Sequence, residues 1–284
     1  MNVQEALKMT YLAAHSDTAS LDAQVLLAHI LAKPRSWVMA HLDYELTLEQ
    51  QNVLQSSTSR LVIGEPLPYI LGHWEFYGLD FEVSPDVLIP RPETELLVEK
   101  GLEWLKHHPT SRIAIDVGTG SGCIAICLAS RNQDLQLAAT DISPSALEVA
   151  KRNADKLSVS AQIDFYCCDL FPPIERPFDL IVANLPYIPT GKMKALPIFG
   201  KEPTLALDGG RDGLDLLKRL IALAPNFISP DGLILLEIEP SKGMDTLSIA
   251  HNTFSHASIH LHRDLAGQDR LVEIQIHPGR DNFS

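Results

Sequence analysis

From residue 112 onward the chain repeats one pattern: a short apolar run, a turn carrying glycine, aspartate or asparagine, then an amphipathic stretch. The runs "RIAIDVG", "LQLAATDI", "QIDFYCCD", "FDLIVAN" and "GLILLEIE" read as strands. "CIAICLAS", "SALEVAKRNADKL", "GLDLLKRLIALAPNFI" and "MDTLSIAHNTF" carry helical periodicity between and after them. Strands this apolar must be covered on both faces, and strands that alternate with helices pair in parallel. The expected fold class is therefore α/β, a mostly parallel sheet between helical layers. The tail breaks the alternation. "SIHLHRDLAGQDRLVEIQI" reads as two strands joined by a short turn, so the sheet should end in an antiparallel pair.

Upstream, residues 1–72 have a different character. "LDAQVLLAHILA" places apolar residues at helical spacing, and "TLEQQNVLQSSTSRLVIG" does so more loosely. Residues 73–90, "HWEFYGLDFEVSPDVLIP", alternate aromatic and β-branched residues around Gly78 and Pro85, as a hairpin does. After "RPETE" a helix is expected over "LLVEKGLEWLKHH". The organisation is thus a small helical domain over 1–72, a linking β-hairpin over 73–90, and an α/β domain over 91–284.

A net charge of −13 repels nucleic acid and acidic membranes, and no run of five Lys/Arg offers a local exception. There is no apolar stretch of 18 residues, and "MNVQEALKMTYLAAHSD" lacks the marks of a signal peptide, so a cytoplasmic location is expected. The four cysteines, Cys123, Cys127, Cys167 and Cys168, form no C-x-x-C pair and have no histidine at zinc spacing. They are expected to be buried reduced thiols, with no metal site. The eleven histidines, "HLH" at 260–262 included, suggest strand surface.

Three strand ends carry the chemistry. "DVGTGSG" (Asp116–Gly122) closes the first strand and opens a helix, where glycines let the backbone turn and approach a ligand. Its G-x-G-x-G spacing departs from the pyrophosphate fingerprint, because Cys123 stands where that pattern needs glycine. The second strand ends at Asp141, 19 residues past Gly122, where a carboxylate can accept from a ribose diol; Asp141 or Ser143 also suits a helix cap. The third strand should end at Asp169, within reach of an adenine amino group. Acidic strand ends would repel a pyrophosphate but suit a cationic nucleoside, and S-adenosylmethionine fits that description. The fourth strand runs into "NLPY". Asn184 offers a side-chain oxygen and Leu185 a carbonyl, an acceptor for each N–H of a planar amide or amine. Pro186 restricts the residue before it, and Tyr187 supplies a flat face. Holding a nitrogen in line with a methyl–sulfur bond can lower a barrier by up to roughly 7–11 kcal/mol. Asn and Pro also break strands without further purpose.

"DVGTGSG", "DIS" and "NLPY" together resemble class I S-adenosylmethionine-dependent methyltransferases with an Asn-Pro-Pro-Tyr signature. "PLPYILGHWEFYGLDFEVSPDVLIPRPETE" (66–95), "EPTLALDGGRDGL" (202–214) and "DLAGQDR" (264–270) narrow the resemblance to the peptide chain release factor N5-glutamine methyltransferases, over essentially the whole chain. The resemblance implies a Rossmann-like, seven-stranded, mostly parallel sheet with an antiparallel terminal hairpin. It implies methyl transfer from S-adenosylmethionine to the glutamine of the Gly-Gly-Gln loop of class 1 release factors. The cofactor positions would be Asp116, Gly118, Thr119, Gly120, Ser121, Gly122, Asp141, Asp169, Leu170 and Asn184. Asn184, Pro186 and Tyr187 would be catalytic, and Asn184–Tyr187 would clamp the substrate amide. The helical domain would grip the release factor, and the protein would be a cytoplasmic monomer with no direct nucleic-acid or membrane partner. "NLPY" departs from the usual signature at Leu185, Leu170 stands where an aromatic residue can occur, and "LEIEPSKG" (236–243) lacks the usual glycine and glutamine.

Two rival readings remain at this level. A nucleic-acid adenine or cytosine amino-methyltransferase would use the same clamp, but residues 1–72 hold four Lys/Arg against seven Asp/Glu. A non-catalytic nucleoside-binding or nicotinamide-dependent protein has no use for the clamp. "RPETE" either lines the cofactor pocket or starts a helix with Pro92 and early acids.

Overall fold

The structure is a computed structural model and describes residues 1–13, 18–110, 112–174 and 176–277. The chain divides into two compact units, Met1–Trp74 and Glu75–Ser284.

The first unit is helical: α1 (Val3–Ala13), α2 (Ala19–Leu31), α3 (Arg35–Ala40), α4 (Leu48–Val62) and α5 (Leu67–Leu71). Val3, Leu26, Leu27 and Leu54 are buried together at its centre. The start of α4 is fixed by a reciprocal cap. Thr47 Oγ1 accepts from the Gln50 N–H at 3.2 Å, and Gln50 Oε1 accepts from the Thr47 N–H at 2.9 Å. Gly72, in the left-handed region, ends α5.

A hairpin of β1 (His73–Phe76) and β2 (Leu79–Glu82) follows. Tyr77 and Gly78 between them both have positive φ, as a two-residue turn matching strand twist requires. The rest of the second unit runs α6 (Glu95–His107), β3 (Ile113–Val117), α7 (Cys123–Arg131), β4 (Gln136–Asp141), α8 (Pro144–Lys156) and β5 (Ile163–Cys167). It continues through β6 (Phe178–Ala183), α9 (Thr190–Met193), α10 (Asp215–Leu223), β7 (Ile228–Glu237), α11 (Gly243–Thr253), β8 (Ser258–Arg263) and β9 (Asp269–Gln275).

The seven strands β3–β9 form one sheet in the order β5-β4-β3-β6-β7-β9-β8. Only β9 runs against its neighbours. Period-two alternation splits the strands β3–β7 between two cores. In β6, Leu180 and Val182 pack with α6 and α7, while Ile181 and Ala183 pack with α10 and α11. The strand order reverses between β3 and β6. At such a switch point the two loops leaving the sheet diverge and open a crevice. Those loops are the glycine loop and "NLPY", so the topology alone brings them together.

The architecture is the expected one, with local differences. The third strand ends at Cys167, not Asp169, because the chain turns out of the sheet and Leu170 adopts φ +64°. The helix after Gly213 stops at Leu223, since Pro225 has no N–H to continue it. Strand structure in 73–90 is confined to β1 and β2. Cys123 and Cys127 are buried as expected, but Cys167 is exposed and Cys168 half-buried, because they fall where β5 leaves the sheet.

Removing the α4 cap tests the first unit. Thr47→Ala is expected to destabilise it by about 1 kcal/mol, read as a lower urea midpoint for helical circular dichroism of the full chain.

Candidate active site

The glycine loop hangs from the neighbouring strand. The N–H groups of Gly118 and Thr119 both donate to the Thr140 carbonyl, at 2.9 and 2.8 Å. Gly118 has φ +76°, and a Cβ there would lie 2.9 Å from Leu185 Cδ2. Glycine is needed for this left-handed φ, and the Leu185 side chain of the fourth-strand loop packs close against it. Gly118–Ser121 line a cleft; Gly122 does not, being turned under the loop against Ile126 and Ala150.

Asp116 is also beneath the loop, fully buried. Its Oδ2 accepts from Thr119 Oγ1 at 2.7 Å and from the Ala125 N–H at 3.2 Å, while Oδ1 has no partner among the described residues. It therefore fastens the loop to α7 and does not face the cleft as a cofactor contact. Burial pushes its carboxyl up to about 7, with the two hydrogen bonds opposing.

Asp141 lines the cleft and has two tasks at once. Its Oδ2 accepts from the Gly120 N–H and its Oδ1 from the Ser143 N–H, both at 2.9 Å. Ser143 caps α8 by accepting from the Ala146 N–H. Asp169 and Leu170 line the same wall. The Asp169 carboxylate is exposed and paired with Arg219 at 2.6 Å. Leu170 holds its left-handed backbone because its carbonyl accepts from Thr140 Oγ1 at 2.7 Å.

Across the cleft stand Asn184, Leu185 and Pro186. The Asn184 Nδ2 donates to Thr94 Oγ1 at 3.0 Å. Leu185 is buried against Gly118, so the residue that departs from the usual proline ties the two loops by packing. Tyr187 is not part of the lining. Its ring turns inward, and its hydroxyl lies 3.5 Å from Glu237 Oε1. Burial and the Glu237 charge hold the Tyr187 hydroxyl well above the usual tyrosine range.

The stretch 202–213 braces this turn. Ile188 donates to the Leu207 carbonyl, Gly209 donates to Ile188, and Thr190 donates to Gly210, at 2.8–3.0 Å. A Cβ on Gly209 would come within 2.7 Å of the Pro186 carbonyl oxygen and the Tyr187 Cα. Glu202, buried, accepts from the Ile89 N–H and pairs with Arg91, fastening the brace to the "RPETE" segment. That segment lines the cleft through Arg91 and Thr94 and also leads into α6. The end of β7 is closed locally, with Glu239 accepting from the Ser241 N–H in place of the usual glycine turn.

Sequence reasoning missed Thr94, Asn153, Glu202 and Glu237. Asn153 is buried and bridges the Ser121 carbonyl to both backbone groups of Glu82. Glu237 left a signal, an acid inside the apolar run "GLILLEIE"; its carboxyl is pushed up to about 7 by burial. The other three gave no local sign.

The donor set fits S-adenosylmethionine. Gly118 and Gly120 allow close backbone approach, Asp141 presents a carboxylate, and Ile142, Leu170 and Leu205 add apolar walls. Arg91 and Arg219, the basic side chains of the lining among the described residues, are committed to Glu202 and Asp169. That leaves a poor site for phosphates and a good one for a cationic nucleoside.

The chain matches the PrmC N-terminal domain over residues 6–72 and the methyltransferase small domain over residues 93–198. A methyltransferase from Pyrococcus furiosus shares the fold at 17% identity, with a TM-score of 0.51 over 82% of this chain and 100% of that one. Fold and site thus define a class I methyltransferase. The release factor glutamine methyltransferase of Bacillus anthracis is 36% identical over 97% of this chain and 100% of that protein. That of Moorella thermoacetica is 41% identical over 88% of this chain and 89% of its own length. The chain belongs to the release factor glutamine methyltransferase family.

Two tests follow from this geometry. Gly209→Ala should lower stability by about 1–3 kcal/mol through overpacking, measured by thermal unfolding. Asp116 and Glu237 have folded-state pKa values of about 7, above their unfolded values. The folded state then holds more protons than the unfolded one between about pH 4 and pH 7, and stability falls as pH rises through that window. Asp116→Asn should reduce this fall, which for one group is about tenfold in the folding constant per pH unit at its steepest; urea midpoints at pH 4.5, 6 and 7.5 check it.

Proposed function

We propose that the chain transfers a methyl group from S-adenosylmethionine to the side-chain amide nitrogen (N5) of the glutamine in the Gly-Gly-Gln loop of class 1 peptide chain release factors. The observation that carries the reading is the Asn184 amide, held by Thr94 at the cleft face opposite Asp141. Membership of the family supports the choice of acceptor.

When bound, the cofactor supplies an electrophilic methyl on a sulfonium. Gly118–Ser121 would give its backbone cradle, Asp141 would accept from the ribose, and Asp169 and Leu170 would border the adenine. An acceptor carboxamide is a poor nucleophile because its nitrogen lone pair is delocalised. Asn184 Oδ1 and the Leu185 carbonyl accept its two hydrogens and fix the nitrogen's direction, with Pro186 restricting the Leu185 backbone. As the nitrogen loses planarity its hydrogens become more acidic, so the two acceptors bind the transition state more strongly than the ground state. One proton then leaves to solvent. Tyr187 stays neutral at physiological pH, because burial and Glu237 raise its pKa, so it supports the clamp and does not act as a base.

The helical unit would grip the release factor. Exposed Leu48, Val62 and Ile63 on and beside α4 support that role. A monomeric protein with no direct nucleic-acid contact completes the reading, and the net charge of −13 supports it.

Incubation with labelled cofactor and purified release factor, followed by peptide mass spectrometry, should place one methyl group on the glutamine of the Gly-Gly-Gln loop. Label on RNA or DNA and none on that peptide would reject the assignment. Asn184→Ala should cost on the order of 10²–10³-fold in kcat with an unchanged circular dichroism spectrum; wild-type turnover would remove the clamp.

A further inference from the structure

Between the acceptor turn and its brace the chain makes one excursion, and its charge is opposite to that of the whole molecule. It leaves at Thr190, whose N–H donates to the Gly210 carbonyl at 2.8 Å and whose Oγ1 donates to Asp208 at 2.6 Å. It returns at Glu202, which is held by Arg91 and the Ile89 N–H. Pro186 before it and Pro203 and Leu205 after it line the cleft, so the excursion begins and ends at the mouth of the site.

The excursion, "GKMKALPIFGK" (191–201), holds Lys192, Lys194 and Lys201 and no acid, in a chain of net charge −13. Met193 is buried and Leu196 and Ile198 are half-buried, which fixes the inward side of the segment. The three lysines are exposed, and so are Phe199 at 41% and Leu205 at 56%. Among the described residues none of the three ammonium groups has a carboxylate partner, whereas Lys100, Lys151, Lys156 and Lys218 each hold one. The neighbouring acids are already engaged, Glu202 by Arg91 and Asp208 by Thr190. Three unpaired like charges add nothing to the fold. What they change is the field at the mouth of the site, where the surrounding molecule would repel an acidic partner.

We propose that residues 191–201 are a docking rim for an acidic face of the acceptor protein, with Lys192, Lys194 and Lys201 pairing with its carboxylates and Phe199 covering apolar surface beside them. The inference rests on the amide-methylation reading above and adds a surface that touches neither the acceptor glutamine nor the cofactor. A patch of opposite sign draws the partner to the place where its glutamine must arrive, and charges at such a rim act on association and its salt dependence. Three lysines without an arginine are few for tracking a phosphate backbone, so a protein face is the better match.

The test uses the full chain with purified release factor and, in parallel, a short Gly-Gly-Gln peptide without acidic residues. The triple variant Lys192→Glu, Lys194→Glu, Lys201→Glu should lower kcat/KM for the release factor on the order of 10–10²-fold at about 0.05 M salt, through KM and with kcat unchanged. Its kcat/KM for the peptide and its S-adenosylmethionine Kd from calorimetry should stay near wild type. The triple arginine variant should match wild type, and about 0.5 M salt should narrow the gap between wild type and the glutamate variant. A second readout needs no methyl transfer. A carbodiimide, which joins an amine to a carboxylate in direct contact, should link one or more of the three lysines to Asp or Glu of the release factor, located by peptide mass spectrometry. Wild-type kcat/KM in the glutamate variant, equal losses with release factor and peptide, equal losses in the Arg and Glu variants, or no cross-link through these lysines would overturn the docking rim. RNA bound by the wild type and released by the glutamate variant, without a cross-link to release factor, would assign the lysines to nucleic acid and overturn it as well. Cross-links through these lysines to a release factor that stays unmodified would overturn the acceptor assignment and leave the rim in place.

Discussion

The site depends on a contact between two loops far apart in the chain: Gly118 holds φ +76°, and Leu185 Cδ2 packs 2.9 Å from where a Cβ on it would lie. β3 and β6 are neighbours at the point where strand order reverses, so the chain leaves both strands into the same crevice. Close approach there sets the distance between the wall that takes the cofactor and the wall that takes the acceptor. A side chain at 118 would strain the left-handed backbone there and press on the Leu185 methyl group, disturbing the walls that directed transfer needs held in place.

Around that contact, polar groups are arranged for position at some cost in stability. Asp116 and Glu237 are both buried, each with one oxygen unpartnered among the described residues. Each organises a neighbour: Asp116 pulls the glycine loop onto α7 through Thr119 and Ala125, and Glu237 accepts from the Tyr187 hydroxyl. Neutral, apolar replacements would relieve desolvation and lose the orientation. Strain is concentrated in the same place, with Leu170 in the left-handed region at the cleft wall, held there by Thr140.

How much of this could be read from the sequence follows from the range of each interaction. Strand and helix alternation is a local signal, and it located the sheet, the glycine loop, Asp141 and the "NLPY" turn. Asp116 was legible as a strand-end acid, but its direction needed one more step. Period two puts it on the face of Ala114, under α7, and not with Val117. Thr94 and Glu202 were illegible because their meaning lies in partners 90 and 111 positions away. Glu202 in "EPTLALDGG" looks like any surface acid until Arg91 and the Ile89 N–H close around it. The glycines of 208–213 could be read as a turn, but not as a brace, since the atoms that Gly209 and Gly213 admit belong to Pro186, Tyr187 and Pro189.

The clasp between Arg91 and Glu202 also bears on how the molecule is made. It closes a loop of about a hundred residues, and the Tyr187 hydroxyl reaches forward to Glu237 on β7, so both are long-range contacts that add to the contact order of the fold. During synthesis the glycine loop and its first helices can assemble early. The acceptor side stays unformed until β7 has left the ribosome. A shortened or half-folded chain therefore has cofactor-binding elements without a way to seat an acceptor, which keeps incomplete molecules silent.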